Sequence, residues 1–85
     1  MVTLQFDSRL LVTPLSEDIP VQKIGGHDIR VQIPASKSIN QTLKDLNIQL
    51  SQTVAAVVNG QATDLEKPLE TGDQVRLLPQ IAGGD

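Results

Sequence analysis

Two short stretches of strict alternation constrain this chain more than anything else in it. Val2, Leu4 and Phe6 alternate with Thr3, Gln5 and Asp7, and Ile29, Val31 and Ile33 alternate with Arg30 and Gln32. Successive strand residues point to opposite faces, so this pattern fits a sheet that buries one face and wets the other. Pro34 cannot donate to a ladder and should end the second stretch. The two stretches are expected to pair as a hairpin with a long connection. Between Thr13 and Asp28 that connection carries Pro14, Pro20, Gly25 and Gly26 among polar residues, a composition that favours turns and extended loop. The most mobile internal segment is expected here.

The period then changes. Ser38 and Gln41 have capping-box spacing, with Ser38 accepting from a first-turn N–H and Gln41 reaching back, so a helix should start at Ile39. Ile39, Leu43 and Leu46 fall at i, i+4 and i+7 on one face, while Gln41, Lys44 and Asp45 point away. Asn47 suits the left-handed residue that ends a helix. The apolar run Val54 to Val58 leads into Asn59-Gly60, two residues that tolerate the positive φ of a type I′ hairpin turn, and a short return strand follows. Leu65, Pro68 and Leu69 should cover the end of the core in an irregular segment. Thr71-Gly72-Asp73 reads as the turn before a last strand, Gln74 to Leu78, halted at Pro79. With the short return strand set aside, the order is β-β-α-β-β, and with a helix over one face of the sheet it is an α+β layout.

Composition narrows what such a domain can do. The chain has 85 residues, enough for one domain but too few for a deep substrate pocket of its own. Phe6 is its only aromatic residue, so the core is built from Val, Ile and Leu around one ring. A formal charge of −3 and the absence of Trp and Tyr argue against nucleic acid as a partner, since phosphates are repelled and bases find no platform. With no cysteine, disulfides, thiolate catalysis and cysteine metal sites are excluded together. The apolar runs fall far short of the ~20 residues of a membrane span, and no basic-then-apolar segment opens the chain, so a cytoplasmic location is expected.

Two polar groups offer alternative readings. His27-Asp28 has the composition of a general base with an orienting carboxylate, but the sequence places no nucleophile beside it, and a turn beside Gly25-Gly26 is the better explanation. Asp64, Glu66, Glu70 and Asp73 either meet a basic patch on a partner and speed encounter, or form a solvated acidic face.

Three stretches taken together carry a resemblance. They are Thr42-Leu43-Lys44-Asp45-Leu46 in the helix, Val57-Val58-Asn59-Gly60-Gln61, and Pro68-Leu69-Glu70-Thr71-Gly72-Asp73-Gln74-Val75 leading to Leu77-Leu78-Pro79-Gln80-Ile81-Ala82-Gly83-Gly84. In order and spacing they resemble the sulfur carriers of molybdopterin and thiamine thiazole synthesis, which share the ubiquitin-like β-grasp fold. The resemblance implies a mixed sheet of about four to five strands with one main helix packed on one face. It also implies that the first and last strands lie parallel and adjacent at the sheet centre. Residues 1–80 would form the β-grasp domain and residues 81–85 a flexible C-terminal tail. A terminal Gly-Gly taken alone is better explained as a frayed chain end, and the stretches before it reverse that reading.

What the resemblance implies for function is a carrier and not an enzyme, with no catalytic residue, bound cofactor or metal of its own. An adenylyltransferase resembling the ubiquitin-activating type would use ATP to adenylate the carboxylate of Gly84, and a sulfur donor would then displace AMP to leave a thiocarboxylate. Gln80, Ile81, Ala82 and Gly83 would be the residues that the partner recognises. Glycine suits a narrow channel because it has no Cβ, and Ile81 is large enough to anchor where the channel widens. A sulfur-accepting synthase subunit would be the second partner. Pro79 is similar to the proline of molybdopterin-type carriers, whereas Gln80-Ile81-Ala82-Gly83-Gly84 is more similar to the thiazole type, so the pathway stays open. Asp85 follows Gly84 and ties its carboxylate into a peptide bond, so the carrier reading calls either for a protease that removes Asp85 or for a natural chain that lacks it. The alternative is a non-carrier, ubiquitin-like interaction module whose sheet face binds a partner while the tail is inert.

Overall fold

The computed structural model describes residues 1–79. Its strands are β1 (Val2–Asp7), β2 (Val21–Gly25), β3 (Asp28–Ile33), β4 (Val54–Val58), β5 (Gln61–Thr63) and β6 (Gln74–Pro79), with one α-helix, α1 (Ile39–Asp45), and a 3₁₀ turn at Ser8–Leu10. They form one mixed sheet in the order β2-β3-β1-β6-β4-β5. Adjacent strands run antiparallel except β1 and β6, which are parallel, with Leu4 opposite Val75. The fold is therefore α+β with the layout of a β-grasp, and its first and last strands lie side by side at the centre.

The alternating stretches decide which face is buried. Val2, Leu4 and Phe6 of β1 and Ile29, Val31 and Ile33 of β3 point to the same side, joined there by Val75 and Leu77 of β6 and Val54 and Ala56 of β4. Ile39 of α1 closes over them, and Leu10, Ile19, Ile48 and Leu69 seal the margins. Leu69 covers the end of the core as expected and Leu65 is half-buried against it, but Pro68 is exposed.

Helix α1 starts and stops where its residues dictate. Ser38 is the N-cap and its hydroxyl accepts from the Gln41 N–H at 3.1 Å. Gln41 does not reach back to complete the box; its side-chain amide donates to Asp45 Oδ1 at 2.7 Å, one turn further on. Asn47 takes φ +55, and the N–H groups of Asn47 and Ile48 close onto the carbonyls of Lys44 and Leu43, a Schellman ending. Ile39 is buried while Leu43 and Leu46 are half-buried. Thr42 shares their stripe at i+3 and is 2% exposed, its hydroxyl without a partner among the described residues.

Two expectations are corrected. The connection from Thr13 to Asp28 is not all loop, since Val21–Gly25 adds β2 to the edge of the sheet, turning through Gly26 at φ +56 into β3. All five residues of β2 are exposed, so burial imposes no alternation on them and no periodic signal marks the strand. This edge strand brings the count to six. The last strand also continues through Pro79, opposite Val54 of β4. Its pairing with β1 ends at Gln5 and Arg76, and a proline is tolerated as the final residue of a strand paired on one side.

Candidate functional site

Strand β6 delivers the C-terminal residues. Because it runs parallel to β1 and antiparallel to β4, its end at Pro79 lies where β1 finishes and β4 begins. The site residues expected from sequence, Gln80, Ile81, Ala82, Gly83 and Gly84, lie outside the described residues, as does Asp85 and with it the expected flexibility of the tail. The structure describes the root from which they continue.

That root is framed by β1, β3, β4 and the 3₁₀ turn. Asp7 at the end of β1 lies opposite Asp28 of β3. Asp7 caps the turn, accepting from the Arg9 N–H at 2.8 Å and pairing with the Arg9 guanidinium at 2.7 Å. The Arg9 side chain and backbone hold the Asp7 carboxyl down at about 2, with His27 adding a weaker pull. His27 lends its backbone carbonyl to the Ser8 N–H at 2.8 Å, and Asp28 accepts from Gln5 Nε2 at 3.3 Å. The pair His27-Asp28 thus belongs to a turn and a cross-strand contact, and among the described residues no nucleophilic constellation gathers around it.

At the root, β6 presents Leu78 outward, 39% exposed and opposite Ala55 of β4. Arg76 lies one residue pair back on the same outer face, opposite Val57. The structure thus places an apolar side chain on the last turn of sheet before the tail, a feature that the sequence reading missed. Its signal was present, since Leu78 breaks the alternation of Val75 and Leu77 with an apolar residue at a solvent position.

The acidic residues sit elsewhere. Asp73 precedes β6, at the opposite end from the root, and its carboxylate accepts from the Glu70 N–H at 2.9 Å and from Asn59 Nδ2 at 3.0 Å. Asn59 in turn accepts from the Gln74 N–H at 3.0 Å. The Glu70 N–H, followed by the Asn59 amide, lowers the Asp73 pKa. Asp64 caps the Glu66 N–H, and Glu66 receives Asn40 Nδ2. Asp73 is therefore a latch that sets the start of β6, whereas Glu70 remains an exposed charge. Among the described residues no group of three or more His, Cys, Asp or Glu is placed to hold a metal, and no helix is long and apolar enough to cross a membrane.

Residues 20–84 match the sequence model of the ThiS family, a stretch that runs from just before β2 through Gly83-Gly84. The chain belongs to the ThiS family. That is the family of ubiquitin-like sulfur carriers, small proteins that are not themselves enzymes and that work with adenylyltransferases and sulfur-accepting synthases. No curated protein and no solved structure matches the chain. Strand β1 lies outside the matched stretch, yet it takes the central place beside β6.

Proposed function

We propose that this ThiS-family chain carries sulfur as a thiocarboxylate on Gly84 and donates it in the biosynthesis of a cofactor of the molybdopterin or thiamine thiazole type. The observation that carries the reading is the family match through residue 84, with Asp85 outside it. A carboxylate oxygen of Gly84 attacks the α-phosphate of ATP in the adenylating partner, and pyrophosphate leaves. A sulfur nucleophile then attacks the acyl carbon, AMP departs, and the thiocarboxylate remains on the carrier. The fold supports this chemistry by position alone: the tail continues from the central strand β6, paired with β1 as far as Arg76 and with β4 as far as Pro79, so the handle behind it is anchored in the sheet.

The chemistry requires a free carboxylate at Gly84. In an 85-residue chain that carbon is an amide carbonyl, a poor nucleophile, and the Asp85 side chain brings a charge that is costly to desolvate in a channel fitted to glycine. A form ending at Gly84 should become an acyl-adenylate, and with a sulfur donor a thiocarboxylate, when incubated with the adenylating enzyme and Mg-ATP. The 1–85 form should react only after a protease removes Asp85. Intact-mass measurement on both forms decides the matter. If the trimmed form stays unmodified by its cognate adenylating enzyme, itself shown to be competent, the ubiquitin-like interaction module becomes the better reading.

A further inference from the structure

The outer face of the sheet, opposite α1, carries its own charge pattern. Gln5 on the central strand β1 is paired with Arg30 of β3 on one side and with Arg76 of β6 on the other. The row continues to Val57 of β4 beyond Arg76 and to Gln22 of β2 beyond Arg30. Neighbouring strands are about 4.8 Å apart, so the two arginine Cα atoms stand roughly 10 Å from each other across Gln5. Each borders a hollow: one of about 300 Å³ beside Arg76, Thr3 and Val57, and one of about 230 Å³ beside Arg30, Gln22 and Pro20.

Neither arginine has a carboxylate partner among the described residues. Arg30 Nε reaches only the neutral Gln5 Oε1, at 3.4 Å, and Arg76 makes no side-chain hydrogen bond or ion pair there. Of the carboxylates nearest in register on this face, Asp7 is paired with Arg9, while Asp28, two residues before Arg30 in β3, accepts only from the neutral Gln5 amide at 3.3 Å and is the one counter-charge at this margin of the row among the described residues. In a chain of net charge −3, the face leading to the tail thus offers open cationic groups, while Asp64, Glu66 and Glu70 lie in the connection between β5 and β6.

We propose that Arg30 and Arg76 determine partner specificity, and that the adenylating enzyme which receives the tail presents carboxylates to them around an apolar contact with Leu78 and Val57. This inference rests on the carrier reading. Continuity places the surface: the outgoing end of β6 is the described part of the chain that adjoins the residues a partner would grip, and its outward residues are Arg76 and Leu78. Charge sets its chemistry. Guanidinium groups take carboxylates as two-pronged pairs, and an apolar centre with a charged margin is the ordinary anatomy of a transient interface. The acidic connection between β5 and β6 would be repelled by the same partner, so the encounter is oriented with the tail leading.

The test uses the form ending at Gly84 and its cognate adenylating enzyme from the same cell, and follows carrier-dependent exchange of pyrophosphate into ATP as carrier concentration and salt are varied. Arg30→Glu combined with Arg76→Glu should raise KM about tenfold or more at low salt with little change in kcat, as expected for charges that govern encounter. The wild-type KM should rise with salt, and that of the doubly reversed variant should rise less or fall. Lys44→Glu on the helix side should leave KM unchanged. Far-UV circular dichroism confirms folding, and Arg30→Gln with Arg76→Gln replaces the reversal if the latter unfolds. A doubly substituted, folded carrier whose KM stays within twofold of wild type overturns the inference and leaves the carrier reading intact. A wild-type carrier that supports no exchange overturns the carrier reading, and this docking surface with it.

Discussion

Phe6 is the sharpest test of how this domain is held together. It is 2% exposed, lies opposite Ile29, and is the only aromatic ring in the chain. Phe6→Ala should cost about 3–5 kcal/mol, because the β-branched residues around it are held by strand backbone and cannot collapse into the space. A chain of 85 residues has a total stability on the order of 4–13 kcal/mol, so the change removes about a quarter of it or more. With a urea m-value near 1 kcal/mol/M for a small domain, the midpoint should fall by about 3–5 M. The chain has neither Trp nor Tyr, so far-UV circular dichroism is the suitable signal. Phe6→Leu retains much of the apolar volume and should give a smaller, measurable shift even if Phe6→Ala is unfolded in water. A midpoint for Phe6→Ala within about 0.3 M of wild type at unchanged m would refute the reasoning, because no buried ring could be removed so cheaply.

Thr42→Val replaces a buried, unpartnered hydroxyl with a methyl group of like shape, so stability should rise by about 0.5–1 kcal/mol and the thermal midpoint by several degrees; a fall in midpoint would mean that the hydroxyl has a partner. Asp7, Asp45 and Asp73 all have folded pKa values below the ~3.9 of an unfolded aspartate, through Arg9, Lys37 and the Glu70 N–H respectively. Their contribution is therefore fully present above about pH 4 and is lost as pH falls through the folded values, about 2 for Asp7. The urea midpoint should decline on acidification below about pH 4, more gently in Asp73→Asn, and a midpoint flat down to about pH 2 would contradict the assignment.

Much of the outline was legible in the sequence because it rests on local chemistry. The alternation around Phe6 and Val31 named the buried side of β1 and β3 before any partner strand was known. Ser38, Asn47 and Asn59-Gly60 marked a cap, a helix stop and a hairpin turn, and each does that work through its own side chain or its tolerance of positive φ. The Gly83-Gly84 end is equally a matter of residue identity, read together with the stretches that precede it.

What the tertiary structure decided were consequences of neighbours distant in the chain. β2 carries no periodic signal because an edge strand exposed on both sides is not shaped by burial, and only pairing with β3 makes it a strand. Thr42 is polar by type and buried by position, because α1 lays its whole stripe on the core. Asp73 could be read as a surface charge until Asn59, fourteen residues earlier in the chain, met it at 3.0 Å. The row of Arg30, Gln5 and Arg76 joins three strands, one of them parallel to its neighbour, and no spacing along the chain encodes that register. Local periodicity determined which residues face inward, and the long-range pairing of β1 with β6 determined which polar residues stand together on the face that leads to the tail.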